Sequence, residues 1–275
     1  MGDGRQGRRG LPRWSDHAVG GVDVVGRVQD QFGPSAHAYA TFSYHASGPD
    51  LPVIVEAAGL TGMELVLDLA TGAGHTALAC APRAARVVAI DLTPAMLETA
   101  AGLAASRRVE NIAFCEAEAA QLPFDDGCFD AVTCRVAAHH FADVRRVVDE
   151  VRRVLRPGGR FVVADTVAPE DAAADTFLNA IELLRDPSHV RDYRGSEWLR
   201  MLRGAGFEAE MVYRMVLALD GADWVARQRT PPEKVALIRR LLAEAAAAIR
   251  AVFEIRDEPW GFSQPIAVFR AVKLA

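Results

Sequence analysis

The stretch Val66-Leu-Asp-Leu-Ala-Thr-Gly-Ala-Gly-His-Thr-Ala77 decides how the rest of the chain is read. Glu64 to Leu69 is a short, mostly apolar run between Thr61-Gly62 and Thr71-Gly72, the pattern of a buried strand. A sharp turn then leads into a helix over His75 to Ala81. Gly72 and Gly74 let the backbone bend and let a ligand approach where a Cβ would block it. The free N–H groups at the start of a helix face such a ligand.

Two cofactor classes fit this turn, and charge separates them. Gly72-Ala-Gly-His-Thr-Ala77 matches the dinucleotide pattern G-x-G-x-x-G/A, and Asp91 stands where a ribose hydroxyl would need an acid. Yet Asp68 precedes Gly72 at the strand's carboxyl end, where a carboxylate repels a diphosphate. It suits a cofactor that carries an ammonium group and no phosphate, such as S-adenosylmethionine. A tight turn that binds nothing is the bland alternative.

Composition narrows the class. With 275 residues, 51% of them hydrophobic, the chain is long and apolar enough for one large domain or a domain with a cap. A net charge of −5 argues against a phosphate-backbone binder, so no nucleic acid partner is expected. No run has the length of a membrane span and no signal peptide opens the chain, so a cytoplasmic protein without membrane insertion is expected, as a monomer or homodimer. Met1-Gly2 resembles a myristoylation start, but Gln6 stands where Ser or Thr is wanted. Cys80, Cys115, Cys128 and Cys134 lack paired metal-ligand spacing and read as reduced thiols in or beside core elements.

Residues 1–21 are Gly- and Arg-rich and read as a disordered tail. Residues 22–60 carry helical patterning, broken at Gly33-Pro34 and Gly48-Pro49, and read as a helical lid over the sheet's carboxyl edge. Tyr39, Tyr44 and His45 in this lid are candidates to face substrate.

From residue 61 strands and helices alternate. Strands are expected at Arg86–Ile90, Ile112–Cys115, Ala131–Arg135 and Arg160–Asp165, with helices at Pro94–Arg107, capped by Thr93, and Asp143–Leu155. This alternation predicts an α/β, Rossmann-like parallel sheet with helices on both faces and ligands outside the strands' carboxyl ends. Beyond it lie helices at Asp171–Arg185 and Ser196–Ala205, a strand at Phe207–Leu219, one long helix at Pro231–Phe253 and a last strand at Gln264–Val272. The domain thus runs over 61–275, with cap insertions at about 170–195 and 221–256.

Four blocks, in this order and spacing, resemble class I S-adenosylmethionine-dependent methyltransferases of the ubiquinone/menaquinone-biosynthesis type, acting on small molecules. They are Leu67-Asp-Leu-Ala-Thr-Gly-Ala-Gly74, Ile90-Asp-Leu-Thr-Pro-Ala-Met96, Leu122-Pro-Phe-Asp-Asp-Gly-Cys-Phe-Asp130 and Val154-Leu-Arg-Pro-Gly-Gly-Arg-Phe161. Cys134-Arg-Val-Ala-Ala-His-His-Phe141 and Glu182-Leu-Leu-Arg-Asp-Pro-Ser-His-Val190 look like a bacterial branch of that group. The resemblance implies a seven-stranded sheet whose last strand is antiparallel beside the fifth. It implies that Asp68 holds the methionine amine, directly or through water, and that Gly72 and Gly74 allow close approach. Asp91 would accept both ribose hydroxyls, Leu92 and Met96 would pack on adenine, and Glu118 and the Ala119 N–H would reach its edge. Ala70 and Glu118 depart from the family's usual glycine and aspartate, and Arg135 completes the cofactor-side set as a pocket or ion-pair residue.

A sulfonium methyl is already activated, so the protein's task is to align the nucleophile and, for a hydroxyl or protonated amine, remove a proton. His139 and His140 follow the fourth strand and Asp165 ends the fifth, an imidazole–carboxylate set suited to that work, with a pH profile rising near 6.5. Some sugar O-methyltransferases are similar here. One of two adjacent histidines is expected to be structural, and no metal site is expected, since no other His or Cys has suitable spacing. The function implied is methyl transfer to an O, N or C nucleophile of a small molecule; the alternative is a cyclase or lyase using the same cofactor.

Overall fold

The computed structural model describes residues 24–32 and 43–274. The expected tail, Tyr39 and the Gly33-Pro34 break lie outside the described residues. Strands β1 (Leu65–Leu69), β2 (Arg86–Asp91), β3 (Ile112–Glu116), β4 (Phe129–Arg135), β5 (Leu155–Thr166), β6 (Phe207–Asp220), the two-residue β7 (Arg256–Asp257) and β8 (Trp260–Lys273) form one sheet. Its order is β3-β2-β1-β4-β5-β8-β6, with β7 paired to β8. β1 to β5 run parallel, while β8 is antiparallel to both β5 and β6, which seats the last strand beside the fifth as the resemblance implied.

Alternation of side chains along each strand builds two cores. On one face Leu67, Leu69, Val132, Phe161, Val163 and Phe269 pack under the helix Val144–Val154, whose Val144, Val147, Val148 and Val151 form one apolar stripe. Asp143 caps that helix, accepting the N–H groups of Arg145 and Arg146 at 3.1 Å. On the other face Val66, Ala89, Ala131, Val162 and Val268 meet Ala77 and Cys80 of the helix His75–Cys80.

Ile54, Val55 and Ala58 belong to that second core, which corrects the expected lid boundary. The helix Asp50–Ala57 covers a sheet face, because its apolar side is continuous with Val162 and Ala164. Of the expected lid, the helix α1 (Val24–Phe32) and the short helix Ser43–Ser47 lie at the carboxyl edge. Gln29 of α1 donates to the Leu92 carbonyl (2.9 Å) and Gln31 to that of Gln228 (2.9 Å).

The two cap insertions pack on one another. Leu178 and Ile181 from the helix Ala172–Arg185 meet Trp224, Ile238, Leu242 and Phe253 around Phe262. The expected long helix is two, Pro232–Ala243 and Ala247–Val252. Arg250 donates back to the Leu242 carbonyl at 3.0 Å, and the Phe253 carbonyl accepts the Ser263 N–H at 2.7 Å, so the chain folds back towards β8 rather than running straight. Cys128 is exposed on the turn before β4, not in the core as expected, whereas Cys80 and Cys134 are buried. Among the described residues no helix is long and apolar enough to cross a membrane.

Candidate active site

A cavity of about 350 Å³ opens outside the carboxyl ends of β1, β2 and β4, roofed by Val24, Val28 and Phe32 of α1. The chain leaves β1 through Ala70, a non-glycine residue at φ 48°, and Gly72 follows at φ 54°. A Cβ on Gly72 would meet nothing within 4 Å, so its outer side is the cavity itself. Gly74 (φ 84°) has a different reason for being glycine: a Cβ there would come within 2.9 Å of the Ala100 Cβ. It lets two helices approach and does not line the cavity, which corrects its expected place beside the ligand.

Asp91, at the end of β2, is buried and lines the cavity. Its Oδ2 accepts the Gly72 N–H at 2.9 Å and its Oδ1 the Thr93 N–H at 2.9 Å, leaving each oxygen a lone pair for another donor. Burial raises its pKa against those hydrogen bonds. Leu92, Met96, Glu118 and Ala119 line the same wall. The Thr93 side chain makes no cap hydrogen bond, contrary to expectation; the cap position is fixed by Pro94 at the helix start and by Asp91.

Asp68 sits behind this wall. It is 1% exposed, with Oδ2 accepting from Thr71 (2.6 Å) and Oδ1 from Thr133 (2.7 Å), and burial pushes its pKa up to about 6 against those bonds. Thr71, which donates to Asp68, does line the wall, while Asp68 does not. Arg135 is likewise committed elsewhere. Its Nε and Nη2 grip Asp50 at 2.6 and 2.9 Å, while Nη1 and Nη2 donate to the His45 and Tyr44 carbonyls at 2.8 Å. It therefore fastens the N-terminal helices to the end of β4. Gly48 makes room for this, since a Cβ there would lie 2.7 Å from the Arg135 Nη2.

After β4 the chain turns at Val136, a β-branched residue at φ 51°, an outlying conformation kept only where surroundings enforce it. Its N–H bonds the Ala164 carbonyl at 2.7 Å. The turn delivers His139 and His140, with ring centroids 4.1 Å apart. His139 Nδ1 lies 2.7 Å from Asp165 Oδ1, and its backbone N–H donates to Asp165 Oδ2 at 3.0 Å. Burial lowers the His139 pKa, but the Asp165 charge and hydrogen bond, helped by Asp192 and Glu182, raise it to about 9. For His140, burial and the neighbouring His139 charge push the value down to about 4. His140 lines the large cavity; His139 does not, and lines a second, smaller chamber that His140 also reaches. The two adjacent imidazoles are thus pushed in opposite directions, His139 towards the charged form and His140 towards the neutral one.

His140 Nδ1 lies 3.2 Å from the Ser188 carbonyl oxygen. A carbonyl only accepts, so Nδ1 carries the hydrogen and Nε2 the lone pair. Ser188 Oγ, also 3.2 Å away, donates its own hydrogen to Asp186 Oδ1 at 2.6 Å and agrees with that tautomer. The Asp186-Pro-Ser-His189 run noticed in the sequence thus orients a site residue. Sequence reasoning missed Asp50, Thr71, Thr133, Ser188 and Asp192. Ligand atoms of His139, Asp165 and Asp192 lie within 4.8 Å of one another, a set that spacing alone did not reveal. Asp165, however, already accepts three N–H groups, from His139 twice and from Thr166.

The residues present suit S-adenosylmethionine: an open glycine cradle, a buried acid with a free lone pair on each oxygen, and an apolar wall beside it. A family model described as a methyltransferase domain matches residues 67–163. The uncharacterized methyltransferase YcgJ of Bacillus subtilis (strain 168) is 39% identical over 236 residues, 86% of this chain and 92% of that one. Its crystal structure shares the fold at a TM-score of 0.79 and 36% identity, covering 82% of this chain and 98% of that one. YafE of Escherichia coli (strain K12) is 37% identical over 202 residues, 74% of this chain and 97% of its own. A demethylmenaquinone methyltransferase of Thermus thermophilus is 46% identical over 110 residues, 39% of this chain and 50% of that protein. The chain belongs to the class I S-adenosylmethionine-dependent methyltransferases of the small-molecule type, and S-adenosylmethionine is its cofactor.

Proposed function

We propose that His140 accepts the proton released when a small-molecule nucleophile takes the methyl group, and that His139 with Asp165 is a fixed charge pair beside it. The observation that carries this is the double placement of His140 on both cavity walls, with Nδ1 committed to Ser188. Bound, S-adenosylmethionine supplies a methyl group already activated on sulfur. Asp91 would hold the ribose hydroxyls, Leu92 and Met96 would flank the adenine, and Glu118 and the Ala119 N–H would reach its edge. Asp68 acts on the amine through Thr71. Helix α1 closes over the cavity as a lid, and Arg135 sets the position of the segment that follows it.

Burial and the neighbouring His139 hold His140 neutral near pH 7, with the Nε2 lone pair open to a proton. The gain from alignment in a closed cavity then carries most of the rate. We further propose that the protein works in the cytoplasm, as a monomer or homodimer, and without nucleic acid, the last of these supported by its net charge of −5. The test is S-adenosylhomocysteine formation across a panel of small alcohols, amines and activated carbon acids. His140→Ala should cut the rate roughly 10² to 10⁴-fold with cofactor affinity kept. Undiminished turnover in that variant would overturn the assignment.

A further inference from the structure

Beside the cofactor cavity lies the second chamber, about 70 Å³, which shares Phe32, His45, Val136 and His140 with it. Its charged lining is matched pair by pair, with one exception. Arg185 pairs with Glu182 at 3.2 Å, Arg227 with Asp223, and His139 with Asp165. Asp192 is left over: it is 1% exposed, and its Oδ2 meets no hydrogen-bond donor. Its backbone is clamped, the N–H donating to Asn179 Oδ1 at 2.7 Å and the carbonyl accepting from Asn179 Nδ2 at 3.2 Å. The side chain is therefore held in place with Oδ2 unmet, and the nearby His139 charge is already paired with Asp165.

A buried carboxylate with an unmet oxygen costs free energy unless a donor, best of all a cation, answers it. Tyr44 and Trp224 of the same lining already carry Arg135 and Arg185 over their rings, and the Phe32 ring adds an apolar wall. A metal ion is the poorer match, because its other two ligands would be His139 and Asp165, which already satisfy each other, and Asp165 accepts two further backbone N–H groups. We infer that the chamber is an acceptor subsite for a small molecule bearing a protonated amine, with Asp192 as the anchor for its ammonium group. Burial raises the Asp192 pKa well above the ordinary carboxylate range, and an ammonium partner restores its charge. The inference rests on reading His140 and this chamber as the acceptor side of the site.

Ethylamine and ethanol form a matched pair, close in size, small enough for the chamber and different in charge. Calorimetry on the S-adenosylhomocysteine-saturated protein at neutral pH, with manganese(II) as a third probe, reads which one the chamber takes. Ethylamine should bind, ethanol roughly tenfold or more weakly, and Asp192→Asn should weaken the amine by at least about tenfold while keeping cofactor affinity. Asp192→Leu, which removes the acceptor and keeps the volume, should do the same. Equal or tighter binding of the alcohol or of manganese, no binding of the amine, or unchanged amine affinity in both variants overturns the inference. Because His140 is untouched and only binding is read, this outcome is separate from the turnover test of His140.

Discussion

Asp165→Asn isolates the electrostatics of the histidine pair. In the native protein the Asp165 carboxylate, 1% exposed, holds both the ring and the backbone N–H of His139. The folded-state pKa of His139 is raised from 6.5 to about 9. A group raised on folding stabilises fully below its unfolded value, and that contribution is lost as pH rises through the folded value. The window is therefore 6.5 to 9, with stability falling as pH increases. At about 1.4 kcal/mol per unit, the rise corresponds to roughly 3 kcal/mol. Asparagine keeps the shape but not the charge, and burial then dominates, so His139 loses its reason to be protonated when folded. Urea unfolding of both proteins across this window should show the variant's deficit greatest at the acid end. The deficit should shrink by up to about 3 kcal/mol at the alkaline end, since differencing cancels groups common to both proteins. Deficits that stay parallel within about 0.5 kcal/mol from one end to the other would refute the argument, as would an NMR titration placing His139 near 6.5.

Other consequences are checked separately. Asp50→Asn breaks a pair buried on both sides and should cost about 3–5 kcal/mol in denaturant unfolding, against under 1 kcal/mol if the pair is only ornamental. Asp91→Ala removes the acceptor proposed for the ribose hydroxyls and should weaken S-adenosylhomocysteine by roughly tenfold or more in calorimetry; unchanged affinity would remove Asp91 from the proposed cofactor site. With His140 as the base, kcat/KM should rise through about 4 and stay level across the ordinary imidazole range, whereas a limb near 9 would move the role to His139. Val136→Gly relieves a β-branched residue at φ 51° and should raise stability by about 1 kcal/mol after the glycine entropy cost; a loss of stability would show that the side chain's packing outweighs the strain.

The strands were legible because each apolar run ended in turn chemistry, and the place of the last strand beside the fifth followed from the family resemblance. Boundaries failed where tertiary packing overrode local pattern. The helix Asp50–Ala57 is apolar over most of its surface and less one-sided than α1, and its seat against Val162 and Ala164 shows that it belongs to the sheet. The stretch Pro231 to Phe253 has helix formers throughout, so nothing local announced the break that lets Phe253 reach β8. Site residues divided in the same way. Asp91, His139, His140 and Asp165 announced themselves by standing at strand ends, where the topology sends them to the cavity edge. Asp50 and Asp192 stand at no strand end. Each acquires its meaning from a partner, or the lack of one, brought from far along the chain.

That division has a physical cause in how the site is layered. The inner layer is set by the sheet: β1, β2, β4 and β5 end together, and whatever follows them must face the cavity. The outer layer sets charge and tautomer, and it comes from segments outside the parallel sheet. Ser188 and Asp186 fix the His140 hydrogen, Asp192 faces His139, and Asp50 holds Arg135. The inner layer can stay constant while the outer one varies, since cap residues carry no sheet hydrogen bonds that must be kept. On the proposed reading the strand ends hold the cofactor and the cap chooses the acceptor. Exchanging the 186–192 segment between this protein and a relative should accordingly move acceptor preference and the pH profile together while leaving S-adenosylhomocysteine affinity within about threefold, the scatter expected of an uncoupled change. Loss of cofactor affinity on that exchange would mean that the two layers are not separable.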